Sequence, residues 1–263
     1  MLRSMYAGIS GLKNSQTKLD VIGNNVANVN TYGFKKGRVT FSDAMSQTLS
    51  GPSGPTANQG GVNAKQIGLG STISTIDTIH SQSSIQTTGR DLDLAISGDG
   101  YFVVKKGERE YYTRAGNFYL DAEGTLVDSS GAKVQGKDGD IKIESETYVS
   151  FTISQSGEII GVPAEGASDV IAQLSIARFA NTAGLIKSGG SNFETSVNSG
   201  EPVYGYAGEE GRGIIATGTL EMSNVDLSEE FTEMIVAQRS FQSNSKIITT
   251  SDEILQELLN LKR

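Results

Sequence analysis

The sequence predicts an α+β protein: long N- and C-terminal helices paired as a coiled coil, with a central antiparallel β-rich domain folded as a sandwich or irregular barrel. Three observations predict it. Apolar residues recur every seven positions near both ends of the chain. Short alternating runs broken by glycine turns fill the middle. Thirty-two glycines in 263 residues, with apolar residues at 37%, favour turns and extended chain over three-layer α/β packing.

The first element runs over residues 5–29. Met5, Leu12, Leu19 and Val26 keep a strict heptad step, and Ile9, Ile22 and Val29 widen the stripe. Gly8, Gly11 and Gly23 each weaken such a helix by roughly 1 kcal/mol relative to Ala. This helix and its exit form a segment 1–39. Residues 40–88 read as an extended Gly/Ser/Thr-rich connector, punctuated by Gly51-Pro52-Ser53-Gly54-Pro55 and leading into β-capable runs such as Ser71-Thr72-Ile73-Ser74-Thr75-Ile76.

Residues 89–218 read as the β-rich outer domain. Asp91-Leu92-Asp93-Leu94-Ala95-Ile96 alternates, and Gly98-Asp99-Gly100 turns the chain into Tyr101-Phe102-Val103-Val104. Turns are expected at Lys106-Gly107, Gly116-Asn117, Ala122-Glu123-Gly124, Ser130-Gly131 and Asp138-Gly139. Residues 170–179 form the longest apolar run, the expected central strand.

The last element, 219–263, mirrors the first. Asp226 is the expected N-cap, with Glu229 as its capping-box partner. Met234, Phe241, Ile248 and Leu255 again step by seven, while Phe231, Ile235, Leu258 and Leu259 widen the stripe. Lys262-Arg263 puts positive charge at the favoured end of the helix dipole. Periodicity alone favours a hairpin packed on the middle domain of a monomer. The narrow stripes also admit a pair completed by neighbouring subunits.

Composition excludes several functions. The net charge is −8, and the only close basic cluster is Lys35, Lys36 and Arg38, so no nucleic-acid partner is expected. Without cysteine there is no thiol nucleophile and no Cys-based metal site. The N-terminus lacks a signal-peptide layout, and no stretch is long enough for a membrane span.

Candidate chemistry is sparse. His80, the single histidine, has no assemblable Ser/His/acid set and reads as a surface or turn residue. Asp91 and Asp93 would share one strand face, where paired carboxylates suit glycoside hydrolysis or a hard cation, yet acids on a solvated strand are ordinary. Gly68-Leu69-Gly70 lacks the rest of a dinucleotide fingerprint. Ser10-x-x-Lys13 and Ser15-x-x-Lys18 lie on a helix without the partner motifs of a β-lactamase. No catalytic residue, cofactor or metal is expected.

Three segments resemble the bacterial flagellar rod and hook axial proteins. Leu19-Asp20-Val21-Ile22-Gly23-Asn24-Asn25-Val26-Ala27-Asn28 with Thr31-Tyr32-Gly33-Phe34-Lys35 is similar to the family's N-terminal signature, with Asn25, Asn28, Gly33 and Phe34 at its marked points. Gly98-Asp99-Gly100-Tyr101-Phe102, the stretch from Tyr112 through Arg114 to Phe118, and Gly124-Thr125-Leu126-Val127 carry the middle. Ser223-Asn224-Val225-Asp226-Leu227 and the run from Ala237 to Lys246, with Gln238, Arg239 and Asn244, carry the C-terminal signature.

The resemblance implies a non-enzymatic structural subunit that self-assembles into a helical tube, and it favours helices completed by neighbours. Met5, Ile9, Leu12, Leu19, Val26, Phe231, Met234, Phe241, Ile248, Leu255 and Leu258 are then the helix-pairing residues. Narrow stripes of this kind suit termini that are disordered in the free chain and become helical on assembly. The implied partners are further copies, neighbouring rod and hook-junction proteins, an assembly cap and the flagellar type III export apparatus, with no membrane insertion.

Within the family, the run Thr88-Gly89-Arg90-Asp91-Leu92 and Thr31-Tyr32-Gly33-Phe34-Lys35 resemble compact hook-type members. The chain length instead resembles the distal rod. The expectation taken is a hook subunit, with a distal-rod subunit as the alternative. An adhesin-like β protein and a carboxylate-dependent hydrolase account for the middle of the chain and not for its ends.

Overall fold

The computed structural model describes residues 2–55, 60–144, 147–163 and 167–261. The chain forms two units. One comprises residues 1–27, 37–77 and 226–263, and the other comprises residues 28–36 and 78–225.

The first unit holds the two terminal helices, α1 (Leu2–Ala27) and α2 (Leu227–Leu261), about 40 and 50 Å long. Asp226 caps α2: its Oδ1 accepts from the backbone N–H of Ser228 at 2.8 Å and Glu229 at 3.4 Å. The helices pair with each other along a seam of small residues. Ser15 Oγ donates to Ser240 Oγ at 3.2 Å, Ala237 is 2% exposed, and Ser251 is buried.

Two of the glycines that weaken α1 are placed at this seam. A Cβ on Gly11 would lie 2.5 Å from the Asn244 amide, and one on Gly8 would touch Ile248. Their intrinsic helix cost is therefore exchanged for close approach of the two backbones. Gly23 differs, because nothing lies within 4 Å of where its Cβ would be. Among the described residues no helix is long and apolar enough to cross a membrane.

The stretch after α1 is largely paired. β1 (Gly37–Asp43) joins β4 (Ser71–Thr78), and between them β2 (Ser46–Ser50) pairs antiparallel with β3 (Lys65–Gly68). β1 packs on α1, where Val21 meets Gly37. Many apolar side chains of this ribbon stay exposed, including Met45, Leu49 and Ile76.

The second unit is β-rich, with one short 3-10 turn at Thr182–Gly184. Its strands are β5 (Ile85–Thr87), β6 (Leu94–Ser97), β7 (Tyr101–Lys106), β8 (Arg109–Thr113), β9 (Tyr119–Leu120), β10 (Leu126–Val127), β11 (Lys133–Gly136) and β12 (Gly139–Asp140). They continue with β13 (Tyr148–Ile153), β14 (Glu158–Pro163), β15 (Asp169–Gln173), β16 (Ile176–Arg178), β17 (Ile186–Gly189), β18 (Asn192–Glu194), β19 (Val203–Gly205), β20 (Ile214–Thr217) and β21 (Thr219–Glu221).

A ten-stranded antiparallel sheet runs β17-β18-β8-β7-β11-β10-β9. β16 and β19 extend it from the other edge of β7, and β12 adds to β11. β13-β14-β15 form a separate three-stranded sheet, and β6 pairs with β20 and β5 with β21. One core gathers Leu94, Ile96, Phe102, Phe118, Leu126, Ile159, Leu174 and Ile215. A second, aromatic core gathers Tyr101, Tyr112, Phe179 and Phe193.

Two strand expectations are corrected. Residues 170–179 do not form one central strand: Leu174 and Ser175 break the run, so β15 edges the small sheet while β16 lies between β7 and β19. Leu174 is fully buried and forms an isolated bridge to Gly136. Gln173 and Ser175 interrupt the apolar residues and Val170 is 58% exposed, so local apolarity does not set strand continuity here. Asp91 and Asp93 do not share a strand face, because β6 begins only at Leu94. Asp93 instead accepts from Thr88 Oγ1 at 2.7 Å and Arg90 Nη1 at 3.1 Å, closing the turn before the strand.

Of the expected turn glycines, Gly107, Gly124, Gly131 and Gly139 adopt positive φ. Gly116 is present for space instead: a Cβ there would lie 1.7 Å from the Leu94 carbonyl oxygen. Gly116→Ala is therefore expected to cost about 3 kcal/mol or more in urea unfolding of the β unit. Gly23→Ala, with open space and an exposed helical position, should stabilise the helix pair by about 1 kcal/mol.

Candidate functional site

In the helical unit the signature asparagine Asn25 is 1% exposed. Its amide donates to the Gly37 carbonyl and accepts from the Gly37 N–H, both at 2.9 Å, and also donates to Glu230 at 3.2 Å. One side chain thus completes the backbone bonding of β1 and satisfies a buried carboxylate in the first turn of α2, where the helix dipole favours negative charge. Asp or Leu could not donate and accept at once.

Of the expected pairing residues, Met5, Leu12, Leu19, Val26, Met234, Ile248 and Leu255 are half-buried, and Ile248 lies against Gly8 at the seam. Ile9, Phe231 and Phe241 are exposed, at 38%, 50% and 39%. The signature residues Gln238 and Arg239 are also exposed, while Asn244 lies against Gly11. The side chain of Leu258, and Lys262 and Arg263, lie outside the described residues.

In the β unit the signature segments converge on a buried ion-pair cluster. Lys35 Nζ donates to Glu221 Oε1 at 2.6 Å and to the Ser81 carbonyl at 2.9 Å. Arg114 donates to Glu221 Oε2 at 3.2 Å, and to the Ile96 and Gly98 carbonyls at 3.3 and 2.8 Å. The Lys35 and Glu221 side chains are fully buried and that of Arg114 is nearly so. Burial pulls Lys35 below the ordinary lysine range, opposed by the Glu221 charge.

Gly33 lies directly on this cluster, with φ +67° and its N–H bonded to the Glu221 carbonyl at 2.9 Å. A Cβ there would meet Ala115 N at 2.5 Å. Asn224 repeats the bonding of Asn25: its Oδ1 accepts from Lys36 N at 2.7 Å and its Nδ2 donates to the Ile79 carbonyl at 2.8 Å. Asn28 accepts from Thr31 Oγ1 at 3.2 Å, and Phe34 carries the Lys187 ammonium 4.7 Å from its ring centre. The charge cluster was missed from sequence. Its one signal was that Lys35 and Arg114 both fall inside signature segments.

His80 is corrected. It is half-buried against the aromatic core, its Nδ1 hydrogen-bonded with Tyr101 OH at 2.7 Å and its ring 5.1 Å from that of Phe193. Burial, reinforced by Lys35, Lys187 and Arg114, lowers its pKa from 6.5 to about 4. Burial also raises Tyr101 above the ordinary phenol range.

The amino-acid sequence agrees with known proteins at both ends and in the middle. Residues 5–35 match the family described as flagella basal body rod protein. Residues 95–161 match the FlgE/F/G D1 domain of the flagellar hook protein, and residues 216–261 match the C-terminal region of the flagellar basal body rod FlgEFG protein. The flagellar basal-body rod protein FlgG of Bacillus subtilis (strain 168) is 60% identical over 265 residues, covering all of both chains. FlgG of Borreliella burgdorferi is 39% identical over 269 residues, also covering both fully. The hook protein FlgE of the same organism is 30% identical over an alignment of 441 residues, again covering both.

The paired-helix unit and the antiparallel β unit, with Asn25 and Asn224 each bonding two backbone groups, belong to the class of structural subunits that these matches define. The chain belongs to the flagellar rod and hook axial protein family, FlgE/F/G.

Two predictions follow from the cluster. Glu221→Gln leaves Lys35 and Arg114 buried without a counter-charge and should cost about 3–5 kcal/mol by chemical denaturation. For His80, the unfolded chain binds more protons than the folded one between pH 6.5 and about 4. Stability is therefore full above pH 6.5 and falls as the pH drops to about 4, by about 2 kcal/mol after allowing for partial exposure. A His80→Gln variant should lack that component when unfolding is compared across the same pH range.

Proposed function

We propose that this protein is a subunit of the distal rod of the flagellar basal body, polymerising with further copies of itself into a helical tube. The observation that carries this is the end-to-end match to FlgG at 60% identity in an alignment of 265 residues for a chain of 263. The hook relative needs 441 aligned positions, so most of that excess has no counterpart here. This replaces the hook assignment expected from Thr88-Gly89-Arg90-Asp91-Leu92 and Thr31-Tyr32-Gly33-Phe34-Lys35.

The helix pair supplies the means of assembly. Its seam is built from glycine, alanine, serine and asparagine, while Phe231, Ile235, Phe241 and Leu259 stay exposed on α2. Neighbouring copies cover these side chains, together with Met5, Ile9, Leu12, Leu19, Val26, Met234, Ile248 and Leu255 and, outside the described side chains, Leu258. Burial at ~25 cal/mol per Å² favours polymer over free chain. The free termini are marginal, and they order on docking at the growing end. The contacts are heterologous and propagate without closing. Export proceeds through the flagellar type III apparatus, and the end partners are the adjoining rod and hook-junction proteins.

Antibody against residues 90–217 should label the straight envelope-crossing segment of isolated hook–basal bodies in electron micrographs. Label along the curved external segment would restore the hook reading, and label on neither would remove both. Phe241→Asp should abolish incorporation while leaving the β unit folded by circular dichroism; normal incorporation of that variant would remove the helix-pairing role.

A further inference from the structure

The β unit holds a cleft of about 420 Å³ between residues 28–35 and the hairpin of β17 and β18, a size ordinary for a small-ligand pocket. Two hydrogen bonds tie its walls together. Lys187 Nζ donates to the Lys35 carbonyl at 2.8 Å, and Ser191 Oγ donates to the Tyr32 carbonyl at 3.3 Å. Ser191, at the hairpin turn, has φ +61°, a conformation unfavourable for a non-glycine residue and concentrated at functional positions.

The polar side chains that line the cleft lack internal partners. The amides of Asn30, Asn117 and Asn192 and the hydroxyl of Ser129 make no hydrogen bond to another described residue. Each can exchange water for a ligand without breaking a bond of the fold. No Asp or Glu among the described residues lines the cleft. The acids adjoining in sequence are engaged elsewhere: Glu194 accepts from Ser188 Oγ at 2.7 Å, and Asp128 accepts from the Ser130 and Ala132 N–H groups at 2.6 and 3.0 Å.

The charge in this corner is positive. The Lys187 ammonium lies 4.7 Å from the Phe34 ring centre, and burial lowers its pKa with no carboxylate acting to raise it. Lys35 and Arg114 share the single carboxylate of Glu221, which leaves one further positive charge in excess. His80, in ring contact with Phe193 of the cleft wall, registers this field: burial lowers its pKa first, and Lys35, Lys187 and Arg114 add to the effect. In a chain of net charge −8 that is a local reversal. One free ammonium matches one negative charge. A phosphate dianion calls for a second free cation or an arginine fork, and here the other cations are held by Glu221.

We propose that the cleft binds a small organic monocarboxylate, with the carboxylate at the Lys187 ammonium and the asparagine amides and the apolar body against Tyr32, Ala115 and Phe193. The site lies wholly within the β unit and does not rest on the rod-subunit reading.

The test is calorimetric titration of the purified full-length chain at neutral pH, with benzoate as the probe. Benzoate should bind saturably with a Kd on the order of 1 mM, and its neutral isostere benzamide should not bind. Lys187→Gln should weaken benzoate roughly tenfold, while Lys187→Arg, which keeps the charge, should retain most of the affinity. Circular dichroism of both variants should match that of the parent chain. Asn30→Ala, at an exposed position, gives a second handle and should weaken benzoate about threefold. No saturable binding of benzoate up to about 50 mM overturns the site. Benzamide binding as well as benzoate, or benzoate binding unchanged in both Lys187→Gln and Asn30→Ala, overturns the role of the Lys187 charge in this cleft. Phosphate binding as tightly as benzoate overturns the carboxylate class.

Discussion

The Glu221 carboxylate, fully enclosed and shared by Lys35 and Arg114, is the interaction on which the β unit depends. Removing charges from water costs several kcal/mol per ion, and mutual attraction offsets this only when the remaining donors and acceptors are satisfied. Here the Ser81, Ile96 and Gly98 carbonyls and the Ser83 N–H take up most of them, and Arg114 Nε is the one buried donor of the cluster without a partner among the described residues. A hydrophobic cluster would tolerate slippage by a residue or two, whereas this cluster tolerates one arrangement. It therefore fixes the register of four segments widely separated in the chain: 33–36, 81–83, 96–114 and 221–224. The segments that follow α1 and precede α2 in sequence lie within this arrangement, with Asn224 N bonded to the Phe34 carbonyl at 3.4 Å.

The helix pair follows a different physical rule. Its seam is polar and narrow, so the two backbones come close while little apolar surface is removed from water. Such a seam specifies alignment through Asn25, Ser15 and Asn244 and leaves large side chains for other contacts. This division of labour suits a subunit that must align its own termini first and bury apolar surface only on joining a polymer, the behaviour proposed here for the rod.

Much of this was legible in the residues. The heptad steps located both helices, and Asp226 located the start of α2 to the residue. Turn glycines at 107, 124, 131 and 139 were readable because positive φ is a local demand that glycine alone meets cheaply. Asn25, Asn224 and Gly33 were singled out by resemblance, and their bonding supplies the reason: two asparagines each complete a pair of backbone groups, and one glycine admits a close backbone approach. Other positions misled. Residues 170–179 look like one strand because the break at Leu174 and Ser175 is set by the distant segments that β15 and β16 pair with, which a local run does not report. Gly8 and Gly11 look like helix defects because their partner, α2, begins more than 200 residues later. His80 looks like a solvated residue because Thr and Ser surround it in sequence, whereas Tyr101 and Phe193 surround it in space.

The sequence by itself determined the class of fold, the two helices, the turns and the family, because periodicity, capping and positive φ act over a few residues. Only the tertiary structure decided that Lys35, Arg114 and Glu221 share one buried site and that the helix seam is lined by small residues. Each depends on which distant segments become neighbours, and that is set by strand pairing and the cost of burying charge, quantities that no local window of residues contains.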